Sequence, residues 1–257
     1  MFANYHTHTS RCQHATGEEK AYVEQAIQNG MKILGFSDHC PWIFPDSYRS
    51  PIRMRPEELD DYFHSLTSLK REYADDITIY IGLEAEYVPE MMPAQQQLLK
   101  DYPMDYMILG EHFLYPEQKG IYTSRPTKEE TELEYYVNLV IEAMETGQYL
   151  YVAHPDLFHF IGDHAIYEKH FRRLCVYLKE KEIPIEINML GWKDRRHYPN
   201  AKFLQIAQAV GNTAIIGCDA HAPEALNDTT SQEECRKLAA KYHLPLIETL
   251  PGLGVQK

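Results

Sequence analysis

The chain has 257 residues, a formal net charge of -13 and five cysteines. That length suits one large domain or two small ones, and it permits a core that needs no disulfide. With no long lysine–arginine cluster, the charge excludes a general polyanion binder, because DNA and acidic membrane surfaces would be repelled. The N-terminus reads as a strand, FANYH, and not as a signal peptide. No segment approaches the ~18 apolar residues of a membrane span. The cysteine number is odd and contains no C-x-x-C, so Cys12, Cys40, Cys175, Cys218 and Cys235 read as reduced thiols of a cytoplasmic protein. Cys12, Cys40 and Cys218 neighbour candidate metal ligands, but their spacing is not that of a thiolate site.

Apolar runs bounded by Gly, Asp, Asn or Pro predict strands over 2–6, 33–39, 77–86, 105–112, 149–154, 183–189 and 213–218. Helical patterns separate them. Thr16 with Glu19, Thr127 with Glu130 and Ser231 with Glu234 read as capping boxes. Pro56 fits a first helical turn, and Asn200 can cap a helix through KFLQIAQAV. A helix over 165–181 carries Ile166, Phe171, Leu174, Val176 and Leu178 at near-helical spacing. Trp42–Arg55 reads as an inserted loop, aromatic and basic, able to cover a site. Strands alternating with helices predict a parallel sheet. Its closure into a distorted seven-stranded β/α barrel follows from where the polar residues fall. Strands 1 to 5 and 7 each end in a candidate ligand, which requires their C-terminal ends to face one another. No linker or repeat divides residues 1–257, so they read as a single domain.

Those ligands are His6 and His8 in NYHTHTS, His14, His39 in GFSDHC, Glu84 in IGLEAEY, His112 in LGEHF, His154 in VAHPD, and Asp219 and His221 in GCDAH. Imidazole and carboxylate donors suit zinc, iron or manganese. Nine are too many for one ion and fit two or three. Any one of these histidines could be a hydrogen-bonded core residue; seven at strand ends with two carboxylates call for cations. Glu84 ends the apolar run ITIYIGL, where a lone carboxylate is costly to bury; bridging two cations, or pairing with an arginine, would offset that cost. Glu86 faces the same side. Asp38 faces the opposite side from His39 and reads as structural or as a support to a ligand.

An HxH at the first strand, DH after the second, Glu after the third, later single histidines and a terminal D-x-H resemble the polymerase-and-histidinol-phosphatase (PHP) family along the whole chain. The resemblance implies a distorted seven-stranded barrel with a trinuclear phosphoesterase site. It assigns His6, His8, Glu84 and Asp219 to one ion, His14, His39 and His221 to a second, and Glu84, His112 and His154 to a third. Glu84, Asp219 and His221 then carry the catalytic step, in which metal-held water, acidified to hydroxide, attacks phosphorus. The segment EINMLGWKDRRHYPN resembles that of the stand-alone histidinol-phosphate phosphatases, although Lys193 stands where an arginine is common.

Arg53, Lys193, Arg195 and Arg196 are candidates for gripping phosphate. Glu111 or Asp156 could meet a substrate ammonium. The implied activity is hydrolysis of L-histidinol phosphate in histidine biosynthesis. A phosphotyrosine-protein phosphatase, a nucleotide phosphodiesterase, an amidohydrolase and a noncatalytic metal-binding module stay open as alternatives. The partner expected is a small phosphorylated substrate, with neither nucleic acid nor membrane; monomer and homo-oligomer both stay open.

Overall fold

A computed structural model of the chain describes residues 1–256 as an α/β fold. Its internal contacts gather into two units. The first comprises Met1–Ile108, Cys218–Thr229 and Glu248–Lys257; the second comprises Leu109–Gly217 and Thr230–Ile247.

The first unit is built on a sheet of β1 (Ala3–Asn4), β2 (Ile33–His39), β3 (Thr78–Ala85) and β4 (Tyr106–Leu109), in that order. β1 pairs β2 and β2 pairs β3 in parallel, and the register sets His39 beside Glu84. Every residue of β2 and β3 is buried, as a parallel sheet covered on both faces requires. Tyr106 lies across the sheet and donates to the Tyr5 and Phe36 carbonyls. It can do so because Gly35 and Gly82 lack side chains: a Cβ on either would stand 2.4 Å or 2.6 Å from Tyr106. A parallel bridge between Thr7 and Ala220 brings the HxH segment beside the D-x-H segment. The helices are α1 (Glu19–Gln28), α2 (Leu59–Glu72) and α3 (Met92–Leu99). α2 buries Leu59, Tyr62, Phe63, Leu66 and Leu69, one stripe at helical spacing. The C-terminal segment ties into the same sheet: Tyr5 and Tyr80 hydroxyls donate to the carbonyls of Leu253 and Gly254, each at 2.6 Å.

The second unit holds α4 (Glu130–Glu145), α5 (His164–Glu180), β5 (Ile185–Asn188), α6 (Met189–Lys193), α7 (Ala201–Val210), β6 (Ala214–Gly217) and α8 (Thr229–Lys241). β5 and β6 pair in parallel. α5 packs between α4 and α7 through Phe171, Leu174 and Leu178. Asp163 caps α5, and Asn200 caps α7 by accepting from the Lys202 amide.

Among the described residues there are six strands. The expected strand at 149–154 is reduced to Val152, which bridges Leu109 on one side and Ile185 on the other. The chain turns at once after it, where His154 takes φ +32°. The first strand is also shorter than 2–6. Thr16, Thr127 and Ser231 do not form the expected capping boxes. α1 and α4 begin after Glu18 and Glu129 without a side-chain cap, and Ser231 lies inside α8. Thr127 instead accepts from the Glu129 amide in the turn before α4. Pro56 does open a helical turn, the 3-10 segment that leads into α2. Val176 on α5 is exposed, not core. No helix among the described residues is long and apolar enough to cross a membrane.

Candidate metal centre

Seven of the nine expected ligands converge within the first unit. His6 and His8 follow β1; the period-two alternation of an extended segment sends both side chains to one side. Glu84 is in β3, 1% exposed, and Asp219 lies beyond β6 at 5%. His6 Nε2 is 3.5 Å from Glu84 Oε1 and 3.5 Å from Asp219 Oδ1. His8 Nε2 is 3.2 Å from Asp219 Oδ1 and 3.6 Å from Glu84 Oε2. Four donors arranged tetrahedrally about a zinc ion at ~2.1 Å would stand about 3.4 Å apart. His6, His8 and Asp219 bring ligand atoms within 4.8 Å of one another, a spacing and donor chemistry that fit such an ion, and Glu84 stands beside the two imidazoles. Glu84 also reaches a further imidazole, because its Oε2 is 3.1 Å from His39 Nδ1.

His14, His39 and His221 bring ligand atoms within 4.8 Å of one another. Two of them show why. The Nδ1 atoms of His14 and His221 lie 2.8 Å and 3.0 Å from the carbonyls of Cys12 and Asp219, so each ring donates there. That leaves Nε2 of both rings as acceptors, and the two Nε2 atoms face each other at 3.0 Å. Two lone pairs at that distance need a cation between or beside them. Burial, reinforced by His8, lowers the pKa of both imidazoles and keeps them in the neutral form that metals require. Burial also opposes charge on His8, but Asp219, Asp38 and Glu84 outweigh it and hold that ring up to about 9 in metal-free protein. Against the same cost of burial, His6, His8 and His221 keep the Asp219 carboxyl well below the usual carboxylate range.

His112 and His154 lie in the second unit, where their rings meet edge to face at 5.0 Å. The His154 amide donates to the buried Glu186 carboxylate. Asp156 is buried and accepts from the Asn200 amide; burial pushes its carboxyl up to about 7. Glu111 is likewise buried, at 1% exposure. Lys193, Arg195 and Arg196 are exposed, at the end of α6 and in the turn after it. Arg196 donates to the Tyr198 hydroxyl and to Asp194. Of six non-glycine residues with positive φ among the described residues, four lie in or next to these segments: Gln13, His154, Arg195 and Asp219 at 70°, 32°, 54° and 50°; Glu182 and His243 lie elsewhere. Backbone held in that region is costly and collects at functional sites.

Arg53 sits elsewhere than a phosphate-gripping role would put it. It is 2% exposed and binds Glu86 through both terminal nitrogens, at 2.7 Å and 2.8 Å. Trp42 Nε1 donates to the same carboxylate. The 42–55 loop is further tied down by Gln13, whose side chain donates to the Ser50 and Arg53 carbonyls, and by the Met54 amide on the His39 carbonyl. It encloses a cleft of about 390 Å³ lined by Trp42, Phe44, Tyr48 and Arg49 among others. Gln13 and the Arg53–Glu86 pair were missed as anchors. The available signal was Glu86 itself, a second carboxylate on a buried strand, which needed a cation from a nearby loop.

The PHP domain model matches residues 4–189, more than half of the sequence, and the chain belongs to that family. A protein of Deinococcus radiodurans named "probable histidinol-phosphatase" is 29% identical over 234 residues, 85% of each chain. The histidinol-phosphatase of Bacillus subtilis is 31% identical over 117 residues, 42% of this chain and 43% of that one. Among solved structures, the histidinol phosphate phosphatase of Lactococcus lactis, complexed with zinc, L-histidinol and phosphate, superposes with a TM-score of 0.74. It is 21% identical and covers 99% of this chain and 98% of its own. That likeness is one of fold.

Proposed function

We propose that the chain is a metal-dependent phosphomonoesterase that hydrolyses L-histidinol phosphate to L-histidinol and phosphate. The observation that carries the metal chemistry is the pair of Nε2 acceptors on His14 and His221 facing each other at 3.0 Å, beside the His6, His8 and Asp219 group and the His8, His39 and Glu84 group. Membership of the PHP family and the names of its relatives support the substrate. The finer fold proposed is a distorted seven-stranded barrel, with Val152 standing for the fifth strand, in a single domain.

His6, His8, Glu84 and Asp219 are proposed to hold one ion, and His14, His39 and His221 a second. The assignment of a third ion to Glu84, His112 and His154 rests on the resemblance in sequence. Divalent zinc, iron or manganese would supply Lewis acidity toward the phosphoryl oxygens and acidify a water for attack at phosphorus. The chain's own residues prepare that chemistry. Glu84 offers its two oxygens to different imidazoles, so one carboxylate can serve two ions. His14 and His221, fixed through Nδ1, are held as neutral donors. Lys193, Arg195 and Arg196 are the exposed cations proposed to grip phosphate oxygens; Arg53, already paired with Glu86, is better suited to holding its loop. Five free thiols suit the reducing compartment proposed.

The test is kcat/KM on metal-reconstituted protein for histidinol phosphate against p-nitrophenyl phosphate, phosphotyrosine peptide and nucleotides, with elemental analysis of the same preparation. Two or three ions per chain and a clear preference for histidinol phosphate are expected. A preference of less than about tenfold would overturn the substrate and leave a phosphoesterase. Protein that takes up no zinc, manganese or iron would overturn the metal chemistry itself.

A further inference from the structure

Beneath the cluster lies a carboxylate with no direct part in the proposed ligand sets. Asp38 is wholly buried in β2. Its Oδ1 accepts from the His39 amide at 2.8 Å and lies 3.4 Å from His8 Nδ1. Its Oδ2 accepts from the Thr9 hydroxyl, and the Cys12 thiol also faces it. No lysine or arginine is among these partners. The one basic group it meets is the His8 ring, so its burial is offset chiefly through that imidazole.

We propose that Asp38 is a positioning residue that fixes His8 with its proton on Nδ1 and thereby presents Nε2 to the metal. The inference rests on the metal reading above. His8 differs from the other oriented imidazoles in what it leans on. His14 and His221 use backbone carbonyls, whereas His8 uses a carboxylate. An anionic acceptor holds the tautomer more firmly and makes the ring a stronger donor to the ion. Thr9 and the His39 amide hold the carboxylate in turn. Thr9 caps the 3-10 turn Ser10–Cys12, and His39 is itself a proposed ligand, so neighbouring chain segments lock the orientation.

Asp38→Asn keeps the shape and an acceptor for His8 and the His39 amide while removing the charge; Asp38→Ala removes the acceptor. Zinc affinity, read by competition with a chromophoric chelator, is expected to fall about tenfold to a hundredfold in Asp38→Asn for at least one ion. The His8 tautomer, read by 15N NMR of zinc-loaded protein, is expected to be Nδ1-protonated in wild type and Asp38→Asn and mixed in Asp38→Ala. If Asp38→Ala fails to fold, Asp38→Asn and Thr9→Val, which frees the carboxylate to rotate, still read the affinity. Wild-type zinc binding with unchanged affinity in Asp38→Asn overturns this inference alone. A wild-type protein that binds no zinc overturns the metal reading and this inference together.

Discussion

Glu84 is a buried carboxylate whose two oxygens face different imidazoles, Oε1 toward His6 and Oε2 toward His8 and His39. Glu84→Gln keeps the size but removes the charge and one anionic oxygen. It should lower kcat at least ~100-fold, with near-normal turnover at full metal content as the contrary result. The neighbouring imidazoles predict how uptake depends on pH. His8 is held up to about 9 without metal, yet it must be neutral to act as a ligand. An ion bound below that pH displaces a proton. Apparent affinity for zinc should therefore rise with pH by about one decade per unit for each proton displaced, and flatten above the His8 pKa. Titrations between pH 6 and 9, in buffers of different ionisation heat, measure both the slope and the proton released. The identities of these residues were legible because a polar group that ends a buried apolar run is costly unless it is paired or binds an ion. Of their hydrogen-bond supports only Asp38 was legible, as structural or as a support to a ligand, and not which ring it meets. The His8–Asp38 pairing joins residues 30 apart and depends on how two segments meet, whereas His14 reaches the Cys12 carbonyl two residues away across Gln13, whose positive φ no sequence pattern announces.

The element with the largest surprise is the 42–55 loop. Its basic and aromatic composition reads as a cover that grips substrate, but Arg53 is buried against Glu86 and anchors the loop to the chain just beyond β3. Arg53→Met should leave Glu86 buried and uncompensated and cost about 3–5 kcal/mol in denaturant unfolding. The double variant Arg53→Met, Glu86→Leu should recover much of that loss. A raised KM with unchanged stability would instead return Arg53 to substrate binding. In β3, Gly82→Ala should cost about 1–3 kcal/mol, because the added methyl meets Tyr106 at 2.6 Å. β2 and β3 were readable from sequence because both faces are buried and the apolar run is unbroken. The 149–154 segment carries the same kind of run, but the turn forced at His154 limits its pairing to Val152. The expected capping residues stand elsewhere: Thr16 lies two residues before Glu18, the N-cap of α1, with its amide donating to the His221 carbonyl, and Ser231 lies inside α8.

At the scale of the molecule, a chain with a net charge of -13 gathers carboxylates and imidazoles around a proposed cation site, and bound ions would make the local charge more positive there. Metal that binds only the folded form stabilises it, by about 2.7 kcal/mol at a concentration of 100 Kd. Chelation should accordingly lower the unfolding midpoint by several degrees, and restoring zinc or manganese should return it. The alternation of strands and helices was legible except at 149–154, where one bridging residue stands for the expected strand; the division into two units was not, because no linker marks it. That division has a consequence for biosynthesis. The second unit is drawn almost entirely from one stretch, 109–217, whereas the first needs the beginning of the chain and two later pieces. Glu84 leaves the ribosome long before Asp219 and His221 are made, and Tyr5 finds its acceptor only when Leu253 exists. Nascent chains stalled at residue 217 would carry seven of the nine proposed ligands but would lack Asp219, His221 and the Thr230–Ile247 piece of the second unit. A proposed ion site that needs Asp219 and His221 would thus be completed only after those two residues emerge, more than a hundred residues behind Glu84.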